Sequence, residues 1–202
     1  MILLFESLPD SITVNGKKFK CDFDFRNVLK MLDVMQREDI LPDTRDYLCI
    51  KCVISHRIPP KIVRSVYNEL CNVLFEKRPE TGEKRITSYE QDAGLIRSAF
   101  RQVYNIDLFR DKVHWFEFIE LLQCLPEGNR YEEIIGIRAR PLPAPNKYNQ
   151  KEREWLMNAK QSVALHLTEK EAARKYDTDV SKVFSGLMSL VPKEKGVNNV
   201  GR

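Results

Sequence analysis

Residues 88–126 read SYEQDAGLIRSAFRQVYNIDLFRDKVHWFEFIELLQCLP. Ser88 or Thr87 can cap a helix in which Ala93, Ile96, Ala99, Phe100, Val103 and Tyr104 recur at spacings of three and four, so that they share one face. Asn105 and Ile106-Asp107-Leu108 break that period. Asp111 stands where an N-cap belongs. Trp115, Phe118, Ile119, Leu121 and Leu122 then mark a second amphipathic helix, which has to stop at Pro126. Two helices joined by a short polar segment fold back on each other as a helical hairpin. Phe100, Tyr104, Trp115 and Phe118 sit at core spacing within it, so packing is favoured over an exposed aromatic platform for single-stranded nucleic acid, which needs a basic groove.

Toward the N-terminus, Asn15-Gly16 separates Ile12 and Val14 from the alternating Phe19, Cys21 and Phe23. Asn-Gly best tolerates positive φ at both centres of a tight turn, so a β-hairpin is expected. A two-stranded ribbon is marginal in water and must pack on helices. Asp22 and Asp24 are paired carboxylates, explained by solvation and helix capping. Asp24 starts a helix with Val28, Leu29, Leu32 and Met35 inward. Pro42-Asp43 opens another, carrying Tyr47, Leu48, Ile50, Cys52 and Ile54. Pro59-Pro60 falls in the first turn of a core helix with Ile62, Val63, Val66, Tyr67, Leu70, Val73 and Leu74, where a missing N–H does no harm. The charged run 76–86 is expected to be an exposed loop.

Toward the C-terminus, Tyr131 to Ile137 predicts a further helical stretch on the same core. Residues 140–145, RPLPAP, hold three prolines and should run as a stiff connector. The domains are therefore expected as a body over 1–138, a connector over 139–148 and a helical C-terminal region over 149–202 with a frayed tail. In that region Asn149 and Glu152 have capping-box spacing, and Trp155, Leu156, Ala159 and Val163 form an apolar face. Thr168 and Glu171 repeat the spacing, and Val180, Val183, Phe184, Leu187 and Leu190 mark one more helix. The fold class is mainly α: an N-terminal β-hairpin packed on a helical bundle, with a smaller helical C-terminal part.

Over 202 residues, 43% are hydrophobic and 31% charged, a globular balance that excludes global disorder. No apolar run approaches the roughly 20 residues of a membrane span. The apolar start, residues 1–5, is too short for a signal peptide, so the cytoplasm is the expected compartment. Residues 137–202 hold 13 Lys/Arg and 7 Asp/Glu, a net of +6, whereas the first 136 hold 20 and 22, a net of −2. A basic tail suits nucleic acid or an acidic protein surface, but a solvated helix face is the plainer reading.

Cys49-Ile50-Lys51-Cys52 with His56 has the spacing to begin a zinc site, yet a closed site needs four ligands and no second pair follows. Buried free thiols in a reducing compartment explain Cys21, Cys49, Cys52, Cys71 and Cys124 better, and no metal is expected. His114, with Asp107, Asp111 and Glu117 near in sequence, has the groups for acid–base work but no pocket or substrate-positioning partner; capping is the preferred reading. The glycines form no phosphate cradle or nucleophile elbow. No catalytic residue and no cofactor are expected. Residues 167–184 resemble a helix-turn-helix, but Asp177 and Asp179 would repel phosphates where bases are read, so DNA binding is the lesser option.

The order Asp92, Leu95-Ile96, Ala99-Phe100, Tyr104, Ile106-Asp107-Leu108, His114-Trp115, Phe118, Leu121-Leu122 and Leu125-Pro126 resembles the phage "gene product fifteen" family, from tailed phages of Gram-positive bacteria. Leu8-Pro9, Asp24-Phe25-Arg26 and Ile134-Ile135-Gly136-Ile137-Arg138 extend the likeness over most of residues 8–165. The resemblance implies a non-enzymatic role in tail assembly, since the family's genes lie near the tape-measure gene. The preferred expectation is a chaperone that holds the tape-measure protein until the tail tube polymerises, in the host cytoplasm. Helix-in-groove packing would serve this, with Trp155, Leu156, Phe184 and Leu187 as the docking surface. A structural virion subunit and a DNA-binding protein are the alternatives, and a homo-oligomer is left open.

Overall fold

The computed structural model describes residues 7–75 and 85–167. Among these the chain is mainly helical, with an N-terminal two-stranded hairpin, as the pattern predicts. Contacts group Met1–Val163 as one compact unit and Ala164–Arg202 as a second, of which 164–167 are described. The charged run 76–84, the helix-turn-helix-like segment from Thr168, Phe184 and Leu187 lie outside the described residues.

Strands β1 (Ser11–Val14) and β2 (Lys17–Lys20) pair antiparallel, with Ile12 opposite Phe19 and Val14 opposite Lys17. Asn15 and Gly16 both take positive φ, 51° and 74°, the twist a two-residue turn needs. Ile12, Val14 and Phe19 point inward, and β1 lies against the third helix.

The chain then enters α1 (Phe25–Gln36) through Asp24, whose carboxylate accepts from the Arg26 backbone N–H at 3.0 Å and from its guanidinium at 2.7 and 2.8 Å. Burial opposes ionisation of Asp24, but the Arg26 bonds outweigh it and hold the carboxyl below its ordinary value. Phe25, Val28 and Met31 are fully inward, with Leu29, Leu32 and Met35 half-buried beside them.

Helix α2 (Pro42–Val53) begins with proline at its first position. Its inner face corrects the sequence reading. Tyr47 and Leu48 are more than a third exposed, whereas Cys49, Ile50 and Ile54 are buried as expected and Asp46 and Val53 join them. The helix is apolar on several sides, so period alone does not choose the face. An ion pair between Asp46 and Arg64 of the next helix permits the buried carboxylate. Pro60–Ile62 forms a 3₁₀ turn before α3 (Val63–Leu74), which buries Val66, Leu70 and Leu74; the α-helix starts three residues after the prolines.

Ser88 does not cap the helix as expected: its Oγ accepts from Gln91 N at 3.2 Å within the turn before it, and the N-cap position belongs to Asp92, which makes no side-chain capping bond. A turn over residues 89–92 leads into α4 (Ala93–Tyr104), with Ile96, Ala99 and Phe100 buried and Asn105 in the left-handed region closing the helix. Helix α5 (Trp115–Gln123) starts at His114, not Asp111. Asp111 is used within the loop, where its carboxylate accepts from Asp107 N at 2.7 Å. Helices α6 (Arg130–Ala139), capped by Asn129, and α7 (Gln150–Ser162) complete the unit.

The core is aromatic at its centre. Phe118 stacks on Phe25 at 4.7 Å and on Phe100 at 5.2 Å between ring centres. Trp115 meets Phe75, Tyr89 and Phe118 at 6.0–6.3 Å and donates its indole N–H to Leu74 O at 3.3 Å.

Candidate partner-binding groove

Two parts of the structure decide what the molecule can do: how the segments are tied to one another, and which apolar surface remains open.

The first tie is at His114. Phe25 N donates to Val113 O at 3.0 Å and Trp115 N to Phe23 O at 2.7 Å, an isolated antiparallel bridge that joins the starts of α1 and α5. The imidazole completes it: Nδ1 accepts from Phe116 N at 3.3 Å, and Nε2 lies 2.9 Å from Pro9 O, which it serves as the donor in the neutral tautomer that these partners require. Both ring nitrogens are occupied by backbone. The acid–base grouping weighed for His114 is therefore not assembled. Asp107 instead holds its own loop, accepting from Phe109 N at 3.1 Å, and lies 3.6 Å from Arg101.

The second tie is a buried ion pair. Arg138 of α6 donates to both carboxylate oxygens of Asp92 at 2.8 and 2.9 Å, with side-chain exposures of 11% and 1%. Asp92 also accepts from Ser88 N, and the Arg138 guanidinium reaches Ile86 O at 3.1 Å and Val163 O at 2.6 Å. Lys160 then donates to Arg138 O at 2.7 Å. One side chain thus joins the start of α4, the end of α6 and the end of α7. Burial pushes the nearby Tyr131 hydroxyl up to about 12, and the Asp92 charge adds to this. Tyr104 gives a further tie, its hydroxyl donating to Leu121 O at 2.9 Å.

An open apolar groove lies between α6 and α7. A groove of about 320 Å³ is lined by Glu133, Gly136, Ile137 and Arg140 of α6 and its following residue, and by Trp155 and Leu156 of α7. Leu156 is 1% exposed and forms part of the packing, whereas the neighbouring Trp155 is 57% exposed. Of the four residues expected to dock a partner, Trp155 stands at the surface, Leu156 is buried, and Phe184 and Leu187 lie outside the described residues. The groove's α6 side was not singled out from sequence. Its signal was the spacing 133, 136/137 and 140 along one helical stripe with a glycine at the centre.

The proline segment reaches this site by side-chain bonding. Asn149 occupies the N-cap position but makes no capping bond. It accepts from Asn146 N at 2.9 Å and donates to Ala144 O at 2.8 Å, while Glu152 pairs with Arg140 at 3.3 Å. The capping box expected at Asn149 and Glu152 is replaced by these bonds because the preceding chain turns back within their reach. Arg153 adds a bond to Pro143 O.

The cysteine motif lies elsewhere. Cys49 is buried with Sγ directed at Met31 O, Cys52 bonds Leu48 O, and the His56 ring stacks on Phe19 at 5.6 Å between centres. Among the described residues, no three metal-binding side chains converge. Burial raises the Cys21 thiol to about 11 and Cys49 to about 12, so neither supplies much thiolate at neutral pH. In native protein, Cys124, which is exposed, is expected to take up a maleimide first, with Cys21 and Cys49 protected until urea unfolds the chain. Peptide mass spectrometry would read the order; early labelling of Cys49 would contradict the buried α2 face.

A family model described as "Bacteriophage Gp15 protein" matches residues 4–165. No curated protein and no solved structure matches the chain. Among the described residues, no helix is long and apolar enough to cross a membrane.

Proposed function

Because the chain belongs to the bacteriophage Gp15 protein family, whose members are phage structural or morphogenesis proteins, we propose that it is a non-enzymatic tail-assembly chaperone holding the tape-measure protein before the tail tube forms. The observation that carries this is Trp155, an indole 57% exposed on the wall of a preformed apolar groove. A large aromatic at a concave surface has the composition of a protein-binding hot spot. A tape measure is a long, helical, apolar chain, and helix-in-groove packing can cover its faces while leaving them displaceable. The firm ties at His114 and Arg138 support a rigid platform, which lowers the ordering cost of binding.

The test is co-expression of the tagged full-length chain with the tape-measure protein, followed by inspection of finished phage particles. Capture by the wild-type chain, a capture at least tenfold weaker with Trp155→Ala, and absence from particles are expected. Stable incorporation into particles without capture would replace the chaperone with a structural subunit. Retention on DNA that falls steeply with salt, without capture, would replace it with the nucleic-acid reading.

A further inference from the structure

Glycine in a helix interior costs about 0.5–1 kcal/mol relative to alanine. Gly136 is the seventh of ten residues in α6. A Cβ built on it would meet nothing within 4 Å. The described fold therefore has no steric need for glycine here, and alanine would serve it better. Gly136 lines the groove together with Glu133, Arg140 and Trp155.

We propose that Gly136 is the floor of a slot for one large apolar side chain of a partner's amphipathic helix. The inference rests on the chaperone reading and assigns the occupant to a helix of the tape-measure protein. The volume of about 320 Å³ exceeds the roughly 150 Å³ of an apolar cavity that admits benzene. It accommodates a bulky side chain laid against the indole. Charge sets the rest of the occupant. Glu133 and Arg140 bracket the slot seven residues apart, about 10 Å along the helix axis. Among the described residues, Glu133 pairs with Arg130 at 3.0 Å and Arg140 with Glu152 at 3.3 Å, both exposed pairs, and such pairs exchange readily. The matching helix carries a basic residue about two turns from an acidic one, with the apolar anchor between them. The base meets Glu133 and the acid meets Arg140.

The test compares full-length Gly136→Ala with full-length Gly94→Ala, each co-expressed with the tape-measure protein. Gly94 lies in the first turn of α4, also with open space over its Cα, so it controls for the helix effect alone. Gly136→Ala should raise the melting temperature by about 1–3 °C while lowering capture about tenfold. Gly94→Ala should leave capture at the wild-type level. Glu133→Lys should weaken capture independently of any change in groove volume. Wild-type capture with Gly136→Ala unaffected would overturn the slot and spare the chaperone reading. No capture by the wild-type chain would overturn both. A wild-type dimer dissociated by Gly136→Ala would make the occupant a second copy of this chain and also overturn the assignment.

Discussion

Replacing Trp115 by alanine is expected to destabilise the protein by about 3–5 kcal/mol, the largest loss from any single truncation in the aromatic core. The indole is 5% exposed and meets rings from three directions: Phe75 after α3, Tyr89 before α4 and Phe118 one turn on in α5. These neighbours are held by separate elements and cannot all collapse into the space left behind, so the cavity term adds to the lost transfer energy. The indole N–H also satisfies Leu74 O at the end of α3, which alanine would leave without that donor. Urea unfolding followed by circular dichroism would measure the change in midpoint. Trp115→Phe should cost clearly less, since it keeps most of the volume and loses the hydrogen bond. An alanine variant within about 1 kcal/mol of wild type would mean that these contacts do not organise the core.

Arg138→Ala is expected to cost a similar amount, about 3–5 kcal/mol, by a different route. Here the loss is less one of attraction than of exposing an error: the Asp92 carboxylate stays buried with the Ser88 N–H, and two backbone carbonyls, Ile86 and Val163, lose their donor. Asp92→Leu combined with Arg138→Met should recover part of the loss, because an apolar pair removes the uncompensated charge. Recovery should stay incomplete, since Ser88 N, Ile86 O and Val163 O remain unserved. Chemical denaturation of both single variants and the double variant tests this as a thermodynamic cycle. Additive losses would show that the two side chains are not coupled. Hydrogen exchange gives a second readout: Arg138→Ala should loosen α7, whose end is tied to that residue, before the hairpin and α1.

Much of the body was legible because its signals are local. Asn15-Gly16 specifies a turn by backbone sterics alone. Asp24 caps α1 as read, through a bond that spans two residues. Phe100, Trp115 and Phe118 announced the core through helical spacing. Where the reading slipped, a partner distant in sequence had intervened. Asp46 faces inward because Arg64 reaches it from α3. The start of α5 moved from Asp111 to His114 because Pro9 O, 105 residues away, engages the imidazole while the Asp111 carboxylate closes its own loop. Leu156, read as docking surface, is buried under the ties that draw α7 onto the last turn of α6.

The candidate groove divides in the same way. Trp155 was found from sequence as the aromatic of an amphipathic helix. Gly136 and Ile137 were visible only as part of a helix expected to pack on the core, and Arg140 only as the first residue of the proline connector, because nothing in a single chain shows which part of a helical face another helix leaves uncovered. Sequence by itself determined the helices, the hairpin and the family, for these follow from periodicity, turn sterics and a motif order that survive without tertiary contacts. Tertiary structure alone decided which side of α2 is buried, what His114, Asp92 and Arg138 hold together, and where an indole stands open on the wall of a groove. Those outcomes depend on pairs of groups that meet only after the chain has folded.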